Sequence, residues 1–241
     1  LPERRGLEFP QPGVRVPVIS VVLPVRNGVR WIAGALRSVA AQTLPADEII
    51  VIDGQSTDES ATIAAGFDRV RVVRQPDLGV AAGLNLGFAE ARGDLIAMIS
   101  CDDLWRPGKL ALQADLLRDE ALDVVFGQVR FFVDPADPQP PAIRPGLLDG
   151  SHPGHLLEVM MIRREIARNI GPFRTDLPVA TDVDWFARLA QSGARKAMPG
   201  EVLVDKRLHA GGNAADPART QPELLTALRS AVARKRAAGH G

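Results

Sequence analysis

The 241-residue chain has a single cysteine, no surplus of either charge and no long apolar run. Cys101 cannot form an internal disulfide, and no CxxC pair offers a thiolate zinc site, so a reducing compartment fits. Lys+Arg and Asp+Glu number 29 each, and this missing basic excess argues against a dedicated nucleic-acid binder. A membrane span needs roughly 18 consecutive apolar residues. The greasiest stretch, Val16 to Val25, is interrupted by Pro17, Ser20 and Pro24. The opening LPERRGLEFPQPG has no apolar core and does not read as a signal peptide. A soluble, cytoplasmic protein is expected, any membrane association being peripheral.

Several signatures are missing as well. The loop PVRNGVRW carries no GxGxxG, Gly108-Lys109 is followed by Leu110 rather than Ser or Thr, and there is no HExxH. GQSTD begins like a hydrolase elbow but puts Asp58 where the second glycine belongs. Ser56 reads instead as a helix N-cap, with Glu59 completing a capping box. His152 and His155 lie in a Pro/Gly-flanked loop with no third ligand nearby, and read as surface residues.

What is present is an ordinary globular composition, 46% hydrophobic and 24% charged. Two hydrophobic periods alternate along the first half. Strands are expected at Val18 to Leu23, Glu48 to Ile52, Val70 to Val73, Leu95 to Ile99 and Val124 to Val133. Helices are expected between them at Gly28 to Gln42, Thr57 to Ala65, Val80 to Ala91 and Pro107 to Arg118. That rhythm predicts an α/β fold with a mostly parallel sheet and helices on both faces, binding ligands beyond the carboxyl ends of the strands.

A long loop follows from Asp134 to Pro153. Beyond it the pattern gives strands at Leu156 to Ile162 and Glu201 to Lys206, with helices at Arg164 to Asn169, Asp182 to Gln191 and Pro222 to Ala238. The cluster Arg234, Lys235 and Arg236 reads as a solvated cationic helix end. The expected organisation is a leader over 1–16, one domain over 17–213 in halves 17–133 and 134–213, and a helical tail over 214–241.

Carboxylates recur at the expected strand ends: Asp53, Asp77 and the pair Asp102-Asp103. Any one of them suits a turn. Three sites at one sheet edge suggest more, since adjacent carboxylates are hard oxygen ligands for Mg²⁺ or Mn²⁺, which can neutralise a departing diphosphate.

The ordered runs ISVVLPVRN, IIVIDGQSTDES and DLGVAAGLNLGFAEARGDLIAMISCDD resemble the nucleotide-binding half of family 2 glycosyltransferases of the GT-A fold. GPFRTDLPVATDVDWFARLAQSG and LHAGGN resemble that family's acceptor half, so the likeness runs from Pro17 to Asn213. It implies transfer of a sugar from a nucleoside diphosphate sugar, UDP by default, to an acceptor hydroxyl on a glycan, lipid-linked glycan, small molecule or peptide.

By the same resemblance, Pro24 and Arg26 line the base, Asp53 bonds to it, and Asp77, Gly79 and Asn85 flank the donor. SCDD matches the Asp-x-Asp metal motif. Ser100 stands at its first position, Asp102 at the metal-binding carboxylate with Asp103 beside it, and Cys101 is a small filler. His209 matches a histidine near metal and diphosphate, and Arg207 beside it pairs with phosphate or stays exposed. In ATDVDWF, Thr181 stands where the family has Glu, and Asp182 aligns with the catalytic base of an inverting reaction. The helix dipole is expected to keep Asp182 ionised, and Asp184 reads as a capping-box residue turned away. The resemblance leaves two rivals: a catalytically silent relative that only binds, and a sugar nucleotidyltransferase, which would need a basic glycine-rich loop after the first strand.

Overall fold

The computed structural model describes residues 17–136, 143–209 and 217–238. The expected leader 1–16 lies outside them. In chain order the elements are β1 (Ile19–Val25), α1 (Ile32–Ala40), β2 (Glu48–Asp53), α2 (Ser60–Ala65), β3 (Val70–Arg74), α3 (Val80–Glu90), β4 (Leu95–Met98), β5 (Leu104–Trp105) and α4 (Lys109–Leu116). There follow β6 (Val124–Val125), β7 (Gly127–Phe132), β8 (His152–Gly154), a 3-10 turn (Leu157–Val159), β9 (Met161–Arg163), α5 (Arg164–Ile170), α6 (Thr181–Gln191), β10 (Lys196–Ala197), β11 (Val202–Arg207) and α7 (Pro217–Ala238).

Seven strands form the main sheet in the order β10-β6-β9-β4-β1-β2-β3. All its pairs are parallel except those of β9, which runs antiparallel to β4 and β6. Successive side chains of a strand point to opposite faces, and here both faces are buried. Ile19, Val21 and Leu23 of β1 join Ile32, Leu36 and Val39 of α1 in one core. Val22 joins Ile50, Ile52, Leu84 and Trp185 in the other. Hence β1, apart from Ser20 and Pro24, is apolar on both faces rather than alternating. Gly87 lets α3 sit directly on the sheet, because a Cβ there would lie 2.3 Å from Val22 Cγ1.

Three expectations are corrected. The single strand expected over Val124 to Val133 is split: β6 belongs to the main sheet and β7 to a second sheet, β5-β11-β7-β8. The strand expected from Leu156 begins as the 3-10 turn, and only Met161–Arg163 pair with the sheet. Ser56 caps no helix: α2 starts at Ser60, and the Ser56 hydroxyl accepts the Asn27 N–H at 2.9 Å. Hydrophobic periodicity cannot see where a strand changes sheets, since the change is set by which strands pair with each half.

Lys109 opens α4 and is fully buried. Its ammonium donates to Gln113 Oε1 at 2.7 Å and stands 4.2 Å from the centre of the Trp105 ring. Burial pushes its pKa down from 10.5 to about 7. The unfolded chain keeps this proton until about pH 10.4, so above neutrality the unfolded state binds more protons and stability must rise with pH. The slope approaches about 1.4 kcal/mol per pH unit. Lys109→Met is expected to exceed the parent in stability near pH 7, and the gap to close toward about pH 10. Urea titrations across that range check it; a parallel pH dependence of the two proteins would refute it.

Candidate active site

Register aligns the ends of four parallel strands. Val25 of β1 lies opposite Asp53 of β2, Asp53 opposite Arg74 of β3, and Val22 opposite Met98 of β4. The loops that follow therefore gather along one sheet edge. The Asn27 side chain accepts Thr57 N–H at 2.8 Å, and Gly28 N–H donates to Ser60 Oγ at 2.8 Å, which stitches the first loop to the second. Asp53 is buried, and its Oδ1 accepts Ser56 N–H at 3.1 Å. Pro24 is half-buried, and Arg26 and Asp77 are exposed along the same edge. Gly79 takes φ 118°, a conformation that favours glycine, with no atom within 4 Å of where a Cβ would stand. Gln75, which sequence reasoning passed over, is buried there; its amide donates to the Asp77 carbonyl and, at 2.9 Å, to the Gly79 carbonyl.

Asn85 is placed elsewhere than expected. Its amide donates to Phe173 O at 2.9 Å, and its Oδ1 accepts Phe173 N–H at 2.7 Å. Both ends of the side chain thus tie α3 to the turn before α6. Gly83 likewise serves packing, for a Cβ would come 2.7 Å from Gln75 Oε1.

The metal-motif loop 99–103 is clamped by β11. This strand pairs antiparallel with the two-residue β5, Asp205 opposite Leu104, so the residues after Asp205 run back along the loop. His209 Nε2 lies 2.8 Å from Asp102 Oδ2, and the His209 ring stands 4.4 Å from the Trp31 ring. Arg207 Nε donates to the Asp102 carbonyl at 3.1 Å, and Nη1 reaches Asp134 Oδ2 at 2.7 Å. Arg207 is therefore a structural tie of this loop rather than an exposed phosphate ligand.

Asp103 is turned inward. It is fully buried, with Oδ1 accepting Arg207 N–H at 3.0 Å and Oδ2 held by Lys206 Nζ at 2.9 Å. Lys206 Nζ also donates to Glu158 Oε1 at 2.9 Å, which accepts Ser100 Oγ at 2.8 Å. Burial pushes Asp103 up to about 7 against the attraction of Lys206. Burial would depress Lys206, but the charges of Glu158 and Asp103 outweigh it and raise its pKa. Ser100 thus faces Glu158, and Asp103, expected among the metal ligands, is committed to an internal ion pair. Glu158 and Lys206 were missed. The signal was there, since a lone carboxylate in LLEVMMI is hard to bury unpaired.

The remaining donors fit a cation. Asp102 Oδ2 and His209 Nε2, at hydrogen-bond distance from each other, would supply one oxygen and one nitrogen to a cation that displaced that contact. Among the described residues no cluster of three His, Cys, Asp or Glu forms. Mg²⁺-type sites commonly take one or two protein ligands and fill the rest with water and phosphate. Cys101 adds nothing to such a set, because burial, with Asp102 and Asp103 nearby, pushes its thiol up to about 12.

Asp182 lies in the first turn of α6, half-buried, with Oδ1 accepting Val183 N–H at 2.8 Å. Burial raises its pKa, and the charge of Glu158 adds to the rise. This is the opposite of the effect expected from the helix dipole alone: loss of water outweighs it. The capping readings at this helix are also corrected. Ala180 is the N-cap, the Thr181 hydroxyl donates to Arg174 O at 3.0 Å, and Asp184 is fully buried against Arg188 and Arg234 at 2.9 and 3.0 Å. Trp185 anchors the helix, fully buried and stacked on Phe173 with ring centres 5.1 Å apart.

Comparison with solved structures gives the fold. The S. aureus TarS 1-349 structure in complex with UDP-GlcNAc superposes with TM-score 0.71 at 17% identity, over 89% of this chain and 65% of that one. Mannosyltransferase PcManGT from Pyrobaculum calidifontis, in complex with GDP-Man and Mn²⁺, gives 0.67 at 22% identity, over 95% of this chain and 68% of that one. Both likenesses assign the GT-A architecture. In sequence, the chain is 31% identical over 212 residues to the uncharacterized protein MT1568 of Mycobacterium tuberculosis (strain CDC 1551 / Oshkosh), which covers 78% of this chain and 66% of that protein. The chain thus spans just under two thirds of that relative's length. Residues 20–178 match the model of Glycosyl transferase family 2, and with the sheet, the strand-end carboxylates and the clamped Ser100–Asp103 loop they establish that the chain belongs to that family.

Proposed function

We propose that the protein transfers a sugar from a nucleoside diphosphate sugar, UDP by default, to an acceptor hydroxyl, with inversion and with the help of Mn²⁺ or Mg²⁺. The observation that carries this reading is the Asp102–His209 pair at 2.8 Å, on a loop clamped to hold it. Solved neighbours bound to UDP-GlcNAc, and to GDP-Man with Mn²⁺, support it.

In this reading Asp53 accepts from the base between Pro24 and Arg26, while Asp77 and the open backbone at Gly79 border the donor. Asp102 and His209 hold the cation, which when bound offsets negative charge on the departing diphosphate. Asp182 takes the acceptor proton as that oxygen bonds to the anomeric carbon. The bond from that carbon to the diphosphate breaks on the opposite face, and its electron pair leaves with the nucleoside diphosphate. Retention by double displacement would need a second carboxylate nucleophile, and Asp103 and Asp184 are both engaged in ion pairs. Proton NMR of the product's anomeric centre checks the inversion.

Asp102→Asn tests the site. Calorimetry of UDP binding is expected to show strong Mn²⁺ dependence in the parent and its loss in the variant. An equal Mn²⁺ effect in both proteins would remove Asp102 from the site.

A further inference from the structure

We propose that α7 docks this protein onto an anionic lipid surface. The inner face of the helix is fully occupied by α6 and the turn before it. Glu223 accepts the N–H groups of Val179 and Ala180 at 2.6 and 3.0 Å, Ala227 is buried, and Arg234 Nη1 reaches Asp184 Oδ1 at 3.0 Å. Gln191 Nε2 donates to Ala231 O at 2.8 Å. The helix therefore cannot roll to hide its other side.

That other side is apolar. Leu225, Leu228 and Val232 are 53%, 54% and 51% exposed. Steps of three and four residues put them on one stripe. They border a shallow groove together with Arg229, Ala233 and Arg236. Single exposed aliphatics are ordinary, but a contiguous stripe on one helix marks a surface that meets something.

Charge selects the occupant. Arg229 and Lys235 are exposed on this outer side, whereas the helix's one acidic residue, Glu223, is turned inward to residues 179 and 180. Arg234, expected with its neighbours to be a solvated helix end, is instead drawn into Asp184. A second copy of the chain meeting the stripe about a twofold axis would bring the same cations against each other. Anionic headgroups complement them, while the aliphatic side chains enter the acyl boundary and the long cationic side chains reach back to the phosphates. No described helix is long and apolar enough to cross a membrane, so this contact lies in the interface plane. It is independent of the proposed activity.

Co-sedimentation of the 241-residue chain with vesicles tests it. The protein is expected to bind phosphatidylcholine vesicles containing about one third phosphatidylglycerol, to ignore pure phosphatidylcholine, and to dissociate as salt is raised. Leu225→Ser/Leu228→Ser/Val232→Ser is expected to lower partitioning more than about tenfold with an unchanged melting temperature, and Arg229→Glu/Lys235→Glu to do the same. Failure to bind anionic vesicles, equal binding to neutral ones, or binding indifferent to the triple variant would overturn the proposal. A concentration-dependent dimer dissolved by the triple variant, without vesicle binding, would assign the stripe to a second copy and overturn it too.

Discussion

Asp182→Asn is expected to bind UDP and Mn²⁺ as the parent does and to lose sugar transfer by roughly 10²–10⁴-fold, the span typical of removing a general base. Asparagine has nearly the same shape, and its Oδ1 can still accept the Val183 N–H that Asp182 accepts at 2.8 Å. It cannot accept a proton at the reacting oxygen. Burial raises the Asp182 pKa, with Glu158 adding and Lys206 opposing, so the carboxylate is a stronger base than one in water. The rate should therefore fall on the acid side at a higher pH than an aspartate in water would set. The donor for the assay is the UDP-sugar that most raises the melting temperature, since a ligand of the folded state stabilises it. An Asp182→Asn protein that turns over at the parental rate would remove this residue from the chemistry.

Lys206→Met is expected to be the most destabilising change at the site, costing about 3–5 kcal/mol. Its ammonium is the shared partner of two carboxylates, Asp103 Oδ2 and Glu158 Oε1, each at 2.9 Å. Removing it leaves Asp103, fully buried, beside Glu158 with no cation between them. Methionine keeps most of the stem's volume, so the loss reports charge rather than packing. Lys206→Met/Glu158→Gln should recover a substantial part, because the second change removes one of the orphaned charges. Urea denaturation of the parent, both single variants and the double variant measures the coupling. Additive single effects would mean that Lys206 stabilises the fold through contacts other than this pair.

Much of the main sheet was legible from hydrophobic period and strand-end chemistry. The strand starts at Glu48, Val70 and Leu95 are found where the pattern put them. A strand buried on both faces writes itself into the sequence as a largely apolar run. Asp53 and Asp102 were legible for a related reason: Asp53 closes one such run, and Asp102 stands in the loop beyond another, where the sheet stops. Their roles toward a donor remain the proposal above, but their positions along one edge follow from strand direction alone.

Other features depended on partners that no local pattern names. The split of Val124 to Val133 between two sheets, and the strand of only two residues at Leu104–Trp105, are decided by pairing with β9 and β11. Asn85 and Phe173 lie 88 positions apart, and Lys206 and Asp103 lie 103 apart. Side-chain composition fixed which segments must be buried and how each runs, because burial acts residue by residue along the chain. Only the tertiary structure decided which carboxylate meets a histidine and which meets a lysine. Asp102 and Asp103 are neighbours of identical chemistry, and what separates their roles is a strand arriving from the far end of the domain to place Lys206 against one and His209 against the other.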